Sequence, residues 1–493
     1  MRSVKFLVVT VAMMMAFVAC EKEKSTVSLV LNRSSLYFSS WKDSPQTVLY
    51  VAENATTVMI GSYSEGLYAS VDTASSTVMV STIGTTDESV ELPKEGYVVV
   101  NALNEDNESV SCYINVYVSE PEYLDTEGHR SNCYVVTSPN TVYSFDAMHR
   151  PDGKPLATTS VALLWQSNNS VVKNVIKVGD NATFYISSLK GDETRVEDTN
   201  AVIGAYNASG EVIWSWHLWI VNENPLEAVD TYTYSDGTTR EFMRQNLGAF
   251  TNSNGSHEIR QIHDSYGMYY QWGRKDPFPR PYFYDAAYAE DEGRADAAGN
   301  FIAERREART SYSGTVSYVT KMPMVFITTD GSDGIGDWLV TADNTLWKDD
   351  EKSIYDPCPY GWRVPSAADM SVLKLAESDD RTSLDVARKQ FGWRLMDHSG
   401  RKFFYSACGR RRYIDGKVEN MNSKDYQYNP ETGEPVKPEP WEGYYWTSTT
   451  AADGKAVSLY FDLTTTRTIN NFEPAYSARK ANGFQIRCVK ERE

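Results

Sequence analysis

The sequence predicts a multidomain protein built mainly of β-structure, in which a β-sandwich is followed by a second all-β domain and a C-terminal α+β domain. Three observations predict this organisation. The chain has 493 residues, which is too long for one hydrophobic core. Apolar and polar residues alternate with a period of two in short runs through the first half. Helix signals become prominent in the second half, and we place the domains at residues 27–120, 121–225 and 226–493.

The first nineteen residues have the form of an export signal. Arg2 and Lys5 precede an apolar run over residues 6–19. About fourteen apolar residues are too few for a hydrocarbon core that needs about 20, so residues 1–19 are predicted to be a signal peptide that is removed. The segment Phe17-Val18-Ala19-Cys20 resembles the lipobox of bacterial lipoproteins, in which the cysteine is acylated and becomes the mature N-terminus.

This resemblance implies that Cys20 carries the lipid and that residues 20–26 form a lipidated polar tether. The charged stretch at residues 21–24 is similar to the signal that directs some lipoproteins of Bacteroidetes-type bacteria to the outer face of the outer membrane. A solvated spacer is the alternative interpretation of that stretch. We expect an outer-membrane lipoprotein, exposed at the cell surface, whose membrane partner is reached through the N-terminal lipid.

The net charge and the cysteine spacing argue against nucleic-acid binding, a zinc site and a thiol redox motif. The net charge of -18 argues against nucleic acid, because phosphate binding requires a basic face that releases counterions. After Cys20, no pair of cysteines has a C-x-x-C spacing, so neither a zinc site nor a thiol redox motif is predicted. The count is odd, so at least one of these cysteines lacks an intramolecular partner. The five are Cys112, Cys133, Cys358, Cys408 and Cys488.

Residues 27–120 contain short runs of alternating polarity separated by turn residues, at 27–31, 47–51, 97–100 and 110–118. Regular strands of this kind predict an immunoglobulin-like β-sandwich. The phrases at residues 31–38 and 52–56 resemble BACON-type and related Ig-like domains, which stand beside the lipid anchor in many such lipoproteins. The resemblance implies that this domain is a spacer.

Residues 121–225 form the second β-rich domain. The run at 213–221 is apolar on both alternating faces, which predicts a strand that is covered on both sides. A turn at 207–210 joins it to the run before it. Trp214, Trp216 and Trp219 could stack on a sugar, but a buried core is the better interpretation. His217 is predicted to be a core histidine.

The second half introduces helices. Ser366 and Asp369 have the spacing of a capping box, which predicts a helix start. A second possible helix covers residues 265–272. Four later segments then resemble the Fibrobacter-type major paralogous domain (FISUMP), over about residues 226–493. They are Gly267-Met268-Tyr269-Tyr270-Gln271-Trp272-Gly273, Asp356-Pro357-Cys358-Pro359-Tyr360-Gly361-Trp362-Arg363-Val364-Pro365, Gly443-Tyr444-Tyr445-Trp446-Thr447-Ser448 and Gly483-Phe484-Gln485-Ile486-Arg487-Cys488.

The resemblance implies a C-type lectin-like fold of the formylglycine-generating-enzyme branch. It also implies that Cys358 and Cys488 lie close and form a disulfide. Trp446 is expected in the core. By similarity to variable lectin-like proteins, the ligand-binding candidates are Tyr444, Tyr445, Tyr460, Arg467, Asn470, Asn471, Phe472, Tyr476, Arg479 and Asn482.

Chemistry beyond binding is not predicted. Calcium-dependent sugar lectins use Glu-Pro-Asn or Gln-Pro-Asp, whereas this chain has Glu473-Pro474-Ala475. No nucleophile elbow, Walker A loop or dinucleotide fingerprint is present. We therefore predict no catalytic residue, no metal and no cofactor.

The leading hypothesis is a lipid-anchored cell-surface binding protein, an adhesin or a receptor for glycan or protein, that displays a lectin-like domain on β spacers. The alternative is a structural fimbrial or cell-envelope subunit. A polysaccharide-processing enzyme is the third reading, since paired carboxylates cannot be identified or dismissed from sequence.

Overall fold

The computed structural model describes residues 18–19, 27–39, 44–82, 95–252, 258–285, 288–291, 293–375, 387, 390–419, 442–463 and 472–492. The chain is mostly β and multidomain, as the sequence predicts. We name residues 27–120 the N-terminal module, 121–225 the middle module and 226–492 the head. No helix in these described stretches has the length and apolar character needed to cross a bilayer.

The N-terminal module is a two-sheet sandwich with the strand order of an immunoglobulin-like domain. One sheet has the order β1-β2-β4-β7-β6 and the other β3-β9-β8-β5, with β3 parallel to β9. Without β1, whose residues 18–19 precede the module, this order matches the A-B-E-D and A′-G-F-C arrangement of such sandwiches. The strands are β1 Val18–Ala19, β2 Ser28–Leu31, β3 Ser35–Phe38, β4 Gln46–Glu53, β5 Thr57–Tyr63, β6 Leu67–Asp72, β7 Thr77–Thr82, β8 Glu95–Leu103 and β9 Ser109–Val118.

The middle module repeats this strand order, which the sequence does not reveal, with the difference that β10 is parallel to β12 where β2 is antiparallel to β4. Its sheets have the orders β10-β12-β15-β14 and β11-β19-β18-β13, with β11 parallel to β19. The described chain therefore contains two Ig-like sandwiches in tandem. The strands are β10 Glu122–Tyr123, β11 Cys133–Val136, β12 Thr141–Asp146, β13 Ser160–Gln166, β14 Val172–Val178, β15 Asn181–Ile186, β16 Ser188–Leu189, β17 Asp192–Val196, β18 Thr199–Tyr206 and β19 Val212–Ile220; a 3₁₀ turn covers Thr126–Gly128.

In its described residues, the head contains short strands and three short helices. Its first strands pair with its last, because Phe242 lies opposite Val489 in the sheet β20-β21-β37-β27. The strands are β20 Val229–Thr233, β21 Thr239–Met243, β22 Tyr270–Gln271, β23 Pro281–Asp285, β24 Tyr288–Asp291, β25 Arg305–Ala308, β26 Val325–Thr328, β27 Trp362–Arg363, β28 Lys374–Leu375, β29 Gly392–Met396, β30 Lys402–Ser406, β31 Arg410–Arg411, β32 Val418–Glu419, β33 Glu442–Thr450, β34 Ala456–Asp462, β35 Phe472–Ala478, β36 Gly483–Phe484 and β37 Val489–Lys490. The helices are α1 Ile259–Asp264, α2 Val316–Lys321 and α3 Ala367–Met370.

One helix prediction is confirmed and one is wrong. Ser366 and Asp369 form a reciprocal capping box at the start of α3. Residues 265–272, expected to be helical, are not; α1 ends at Asp264 and β22 follows. The reason is tertiary contact, because the Met268 backbone amide donates to the Leu247 carbonyl at 2.8 Å and β22 pairs with β36.

The N-terminal and middle modules meet through stacked tyrosines. The ring of Tyr117 lies 5.0 Å from that of Tyr37 and 4.5 Å from that of Tyr185. Asn174 links them, since its backbone carbonyl accepts from the Tyr37 hydroxyl at 2.7 Å and its amide donates to the Tyr117 hydroxyl. The contact is therefore small, aromatic and hydrogen-bonded.

The middle module and the head share one hydrophobic core. Trp219 donates from its indole nitrogen to the Ala249 carbonyl at 2.7 Å, and Asn132 donates to the carbonyls of Ile354 and Asp356 at 2.8 and 2.9 Å. Residue 225 therefore separates two different architectures, but hydrophobic side chains from both sides of it form one continuous core. That core includes Cys133, Leu164, Trp165, Val202, Trp219 and Val221 from the middle module, and Met243, Leu247, Met268, Trp272, Trp338, Trp347, Trp446 and Ile486 from the head.

Candidate functional site

Three tyrosines meet on one face of the sheet β33-β34-β35. Tyr444 and Tyr460 lie directly opposite each other on neighbouring strands, and Tyr476 is carried by the third strand. The ring centroids of Tyr444 and Tyr460, and those of Tyr460 and Tyr476, are 5.0 Å apart. We call these three side chains the tyrosine face. They follow from strand periodicity, because directly opposed residues present their side chains on the same side of a sheet.

Two carboxylates adjoin the tyrosine face. The Tyr460 hydroxyl lies 3.2 Å from a Glu442 carboxylate oxygen and 3.1 Å from an Asp462 carboxylate oxygen. The Tyr444 hydroxyl also donates to Glu442. Burial, followed by the charge of Glu442, raises the pKa of Tyr444 and of Tyr460, so both stay neutral phenols. Ring faces and acceptor oxygens are thus held side by side.

A cation completes the arrangement. The guanidinium carbon of Arg410 lies 5.2 Å from the centroid of the Tyr444 ring, within the range of a cation–π contact. Arg410 also pairs with Glu419 at 2.7 Å. Tyr444 is thereby held between Arg410 and its neighbouring rings, and it is only 3% exposed. Tyr460 and Tyr476 are half-buried and present the accessible part of the face.

Three of the predicted binding residues, Tyr444, Tyr445 and Asn482, are buried and present almost no accessible surface to a ligand. Tyr445 is fully buried; its hydroxyl donates to the Ser406 carbonyl at 2.7 Å and accepts from Asn246 at 3.3 Å. Asn482 is also buried, and its side-chain oxygen accepts from the Tyr413 backbone amide at 3.0 Å. Adjacent residues of a strand point to opposite faces, so Tyr444 packs on Phe484 in the core shared with the middle module, and Tyr445 packs in the second core of the head.

The remaining candidates lie elsewhere or outside the described residues. Phe472 is half-buried on β35 opposite Phe461. The guanidinium of Arg479 stacks on Tyr413 at 4.5 Å, and its side chain lies against the glycine-rich loop at Gly331 and Gly336. Arg467, Asn470, Asn471 and the lipidation candidate Cys20 lie outside the described residues.

The four head segments that carry the family resemblance contribute buried residues that stabilise the fold. Arg487 donates to the Asn246 side-chain oxygen at 3.1 and 3.0 Å and stacks on Tyr405 at 3.9 Å. Gln485 accepts from Asn246 at 2.8 Å. Trp446 is fully buried and stacks on Phe484 at 4.1 Å. These residues hold the centre of the head together and are not exposed to a ligand.

The cysteine pairing implied by the family resemblance is present in the structure. Cys358 and Cys488 form a disulfide across a sequence separation of 130 residues. Cys112, Cys133 and Cys408 are buried outside this bond. Ser131 of the middle module donates to the Cys358 carbonyl at 3.0 Å, so the bridge lies beside the shared core.

A Cys–His–Asn line runs through that core. His217 Nδ1 lies 3.4 Å from Cys133 Sγ, and its Nε2 lies 2.9 Å from Asn200 Oδ1. Nucleophilic cysteine sites use these residue types. Burial, however, raises the pKa of the Cys133 thiol and lowers the pKa of His217 to about 3. Both groups are neutral and closed to solvent, so the line packs the core, as predicted for His217.

Carboxylates in the glycine-rich loop have partners in the protein. Asp333 pairs with Arg309 at 2.8 Å, and Asp330 accepts from Ser332 at 2.8 Å. Across the described ranges, no group of three or more His, Cys, Asp or Glu side chains could hold a metal ion.

Glu442, Asp462 and Arg410 are the site residues that sequence analysis missed. Glu442 and Tyr444 are two residues apart on one strand, as are Tyr460 and Asp462 on the next, so strand periodicity places all four on the same side. This signal was present in the sequence. Arg410 gave none, because a separate strand brings it over the ring.

No protein-family model matches the chain, and a search of curated proteins found no relative. Among solved structures, an I-band fragment I67–I69 of titin aligns at 13% identity over 41% of this chain and 67% of its own, with a TM-score of 0.13. The human desmocollin-1 ectodomain aligns at 8% identity over 43% of each chain, with a TM-score of 0.13.

A third similar structure is SGBP-B of the mixed-linkage glucan utilization locus of Bacteroides ovatus, in complex with a mixed-linkage heptasaccharide. It aligns at 11% identity over 41% of this chain and 46% of its own, with a TM-score of 0.12. This chain thus spans about half the length of that protein. The Ig-like assignment of the N-terminal and middle modules rests on their strand order and not on these alignments.

Proposed function

We propose that this chain is a lipid-anchored, surface-displayed binding protein whose FISUMP-like, lectin-like head recognises a glycan through the tyrosine face. The anchor is supported by the lipobox-like segment that ends at Cys20, and the family by the four segments of the head. The observation that carries the recognition role is the half-buried ring pair Tyr460 and Tyr476 beside the carboxylates of Glu442 and Asp462.

This combination suits a saccharide. Ring faces offer rigid apolar area for the C–H face of a sugar, and carboxylate oxygens accept hydrogen bonds from its hydroxyl groups. The rings are held in place before any ligand arrives, since each stacks on a neighbour and the hydroxyls of Tyr444 and Tyr460 are bound by Glu442. Ordering the site in advance reduces the entropy lost on binding.

The N-terminal module has the form of a spacer. Ser28, where the tether enters, lies opposite Glu53 at one end of the sandwich. Val118, which leads to the middle module, lies opposite Phe38 at the other end. The strand β9 between these ends has ten residues and so spans about 30 Å. The tether and the middle module are therefore kept apart by the length of the N-terminal module.

The test is a glycan array with the full mature chain, followed by affinity measurements for any ligand found. Tyr476→Ala should weaken binding about tenfold or more, because truncating an aromatic anchor typically costs more than 1 kcal/mol. Tyr476→Phe keeps the ring and should bind much more tightly than the alanine variant.

Tyr312→Ala is the matched control, because Tyr312 is a head tyrosine that is 73% exposed and whose ring packs edge-on against that of Tyr318 on α2. Binding should be unchanged in that variant. An array without any ligand, or equal affinities for the Tyr476→Ala and Tyr312→Ala variants, would contradict the proposal.

A further inference from the structure

In the N-terminal module, the outer surface of the sheet β1-β2-β4-β7-β6 exposes apolar side chains. Leu49 and Val51 on β4 are 50% and 53% exposed, and Tyr68 on β6 is also exposed. Val30 lies directly opposite Val51, and Met79 lies opposite Ser70 on β6. We call these five side chains the apolar face. A single exposed leucine is ordinary, but five neighbouring apolar side chains on one sheet mark an interaction surface.

Charge is absent from the middle of this surface. Between their ends the four strands have no charged outward position, and the acidic side chains Glu53 and Asp72 lie at strand ends. The chain as a whole carries a net charge of -18, so an uncharged sheet surface departs from its average. The outward positions are Ser28, Val30, Thr47, Leu49, Val51, Tyr68, Ser70, Thr77, Met79 and Ser81.

The position of the tether indicates which surface the apolar face contacts. The strand β2, which carries Val30, is the first strand after the tether, and cleavage before Cys20 would remove β1 beside it. Eight residue steps separate Cys20 from Ser28, so the two Cα atoms are at most about 29 Å apart. A lipid on Cys20 therefore keeps the apolar face within reach of the bilayer at all times.

The opposite sheet is the natural comparison. This sheet also exposes apolar side chains, Met59, Tyr63, Tyr97 and Tyr113, beside polar groups such as the hydrogen-bonded pair Ser111 and Asn101 at 2.8 Å. It is the sheet β3-β9-β8-β5, which does not contain the strand after the tether. The two sheets thus offer equally exposed side chains at different positions relative to the anchor.

We propose that the apolar face lies against the lipid surface to which the tether is fixed, so that the N-terminal module lies along the membrane. This rests on the proposed lipid anchor. Apolar side chains insert into the boundary between headgroups and acyl chains, and tyrosine is enriched at that level. The face is too small to hold a soluble protein on a bilayer, but a short tether raises its effective concentration there.

The experiment reproduces the tether without relying on acylation. Cys112, Cys133 and Cys408 are buried and Cys358 is bonded to Cys488, so Cys20 can be coupled selectively in the mature chain. The full mature chain is attached through Cys20 to a maleimide lipid in phosphatidylcholine vesicles, or to a soluble maleimide polymer. Hydroxyl-radical footprinting with mass spectrometry then measures the oxidation rate of each exposed side chain.

The expected result is that oxidation of Leu49, Val51 and Tyr68 slows at least threefold on vesicles relative to the polymer. Oxidation of Tyr97 and Tyr113 on the opposite sheet should not change. A Leu49→Ser, Val51→Ser double variant should restore the oxidation of Tyr68. Its unchanged circular dichroism would show that the loss of protection is not unfolding.

Equal rates on vesicles and polymer, or equal slowing on both sheets, would overturn the proposal. Protection of the apolar face that appears without vesicles when protein concentration rises would overturn it in favour of a second copy of the chain. Mass spectrometry of Cys20 in protein from its native membrane tests the anchor itself, so failure of the anchor and failure of the docking face are distinguishable.

Discussion

At the junction of the N-terminal and middle modules, a stack of three tyrosines and the side chain of Asn174 meet, whereas the middle module and the head share a continuous core. The strands at the two junctions have different polarity. β9 alternates exposed and buried residues over most of its length, while seven consecutive residues at the end of β19 are buried. A strand that is apolar on both faces thus marks a module that is fused to its neighbour.

This difference has a mechanical consequence. Breaking the first junction exposes a few aromatic side chains, while breaking the second would expose a core that contains Trp219, Trp272 and Trp446. We expect the middle module and head to unfold as one cooperative unit and the N-terminal module to unfold separately. Each of the following changes tests that contrast.

Trp219→Ala should have the largest effect. Trp219 is fully buried in the shared core, so its removal leaves a cavity and should lower the free energy of unfolding of the fused unit by about 4 kcal/mol. Urea denaturation, followed separately by probes in the middle module and the head, measures this. Both probes should shift together. A shift in the middle module alone would show that the two units unfold independently.

Acid should weaken the fused unit next. Burial lowers the pKa of His217 to about 3, whereas the unfolded chain titrates near 6.5. Between these values the unfolded state binds the extra proton, so stability is full above pH 6.5 and falls as the pH drops toward 3. The loss for His217 should reach about 3 kcal/mol at pH 4.

The matched variant is His217→Gln, which has no titrating group at this position. Its stability should fall less steeply with pH than that of the unsubstituted chain. The N-terminal module contains no histidine, so its transition should lack this component. Parallel pH profiles for the two proteins would contradict the assignment to His217.

Asn174→Gly should have the smallest effect and act at the other junction. Asn174 has a φ of 55°, which glycine adopts without strain, so the substitution mainly removes the hydrogen bond to Tyr117. We expect a loss of about 1 kcal/mol at the tyrosine stack. Small-angle scattering should show a wider range of module orientations, while the urea transition of the fused unit stays unchanged. An altered transition would show that the two junctions are coupled.

Much of the β architecture could be predicted from local pattern. The alternation in residues 27–120, the hairpin at 207–210 and the capping box at Ser366 are local signals, and the structure has strands, a turn and a helix at these places. At residues 265–272 the local pattern predicted a helix that the structure does not contain. Leu247 and Phe484, which are distant in sequence, impose extended backbone there.

The candidate site shows the same division. Tyr444 and Tyr460 could be selected from sequence, but the burial of both Tyr444 and Tyr445 could not, because the two faces of their strand meet different hydrophobic cores. Arg410 reached the site from a separate strand without any sequence signal.

By itself, the sequence determined that β-rich modules precede a region with helix signals, because alternation and helix caps act over a few residues, and it predicted the signal and the tether before them. Only the tertiary structure decided that the middle module repeats the strand order of the N-terminal module. It also decided that the sheet β11-β19-β18-β13 shares a core with the head. Those outcomes depend on contacts between residues far apart in the chain, such as Asn132 with Asp356 and Trp219 with Ala249. No local pattern encodes a partner at that distance.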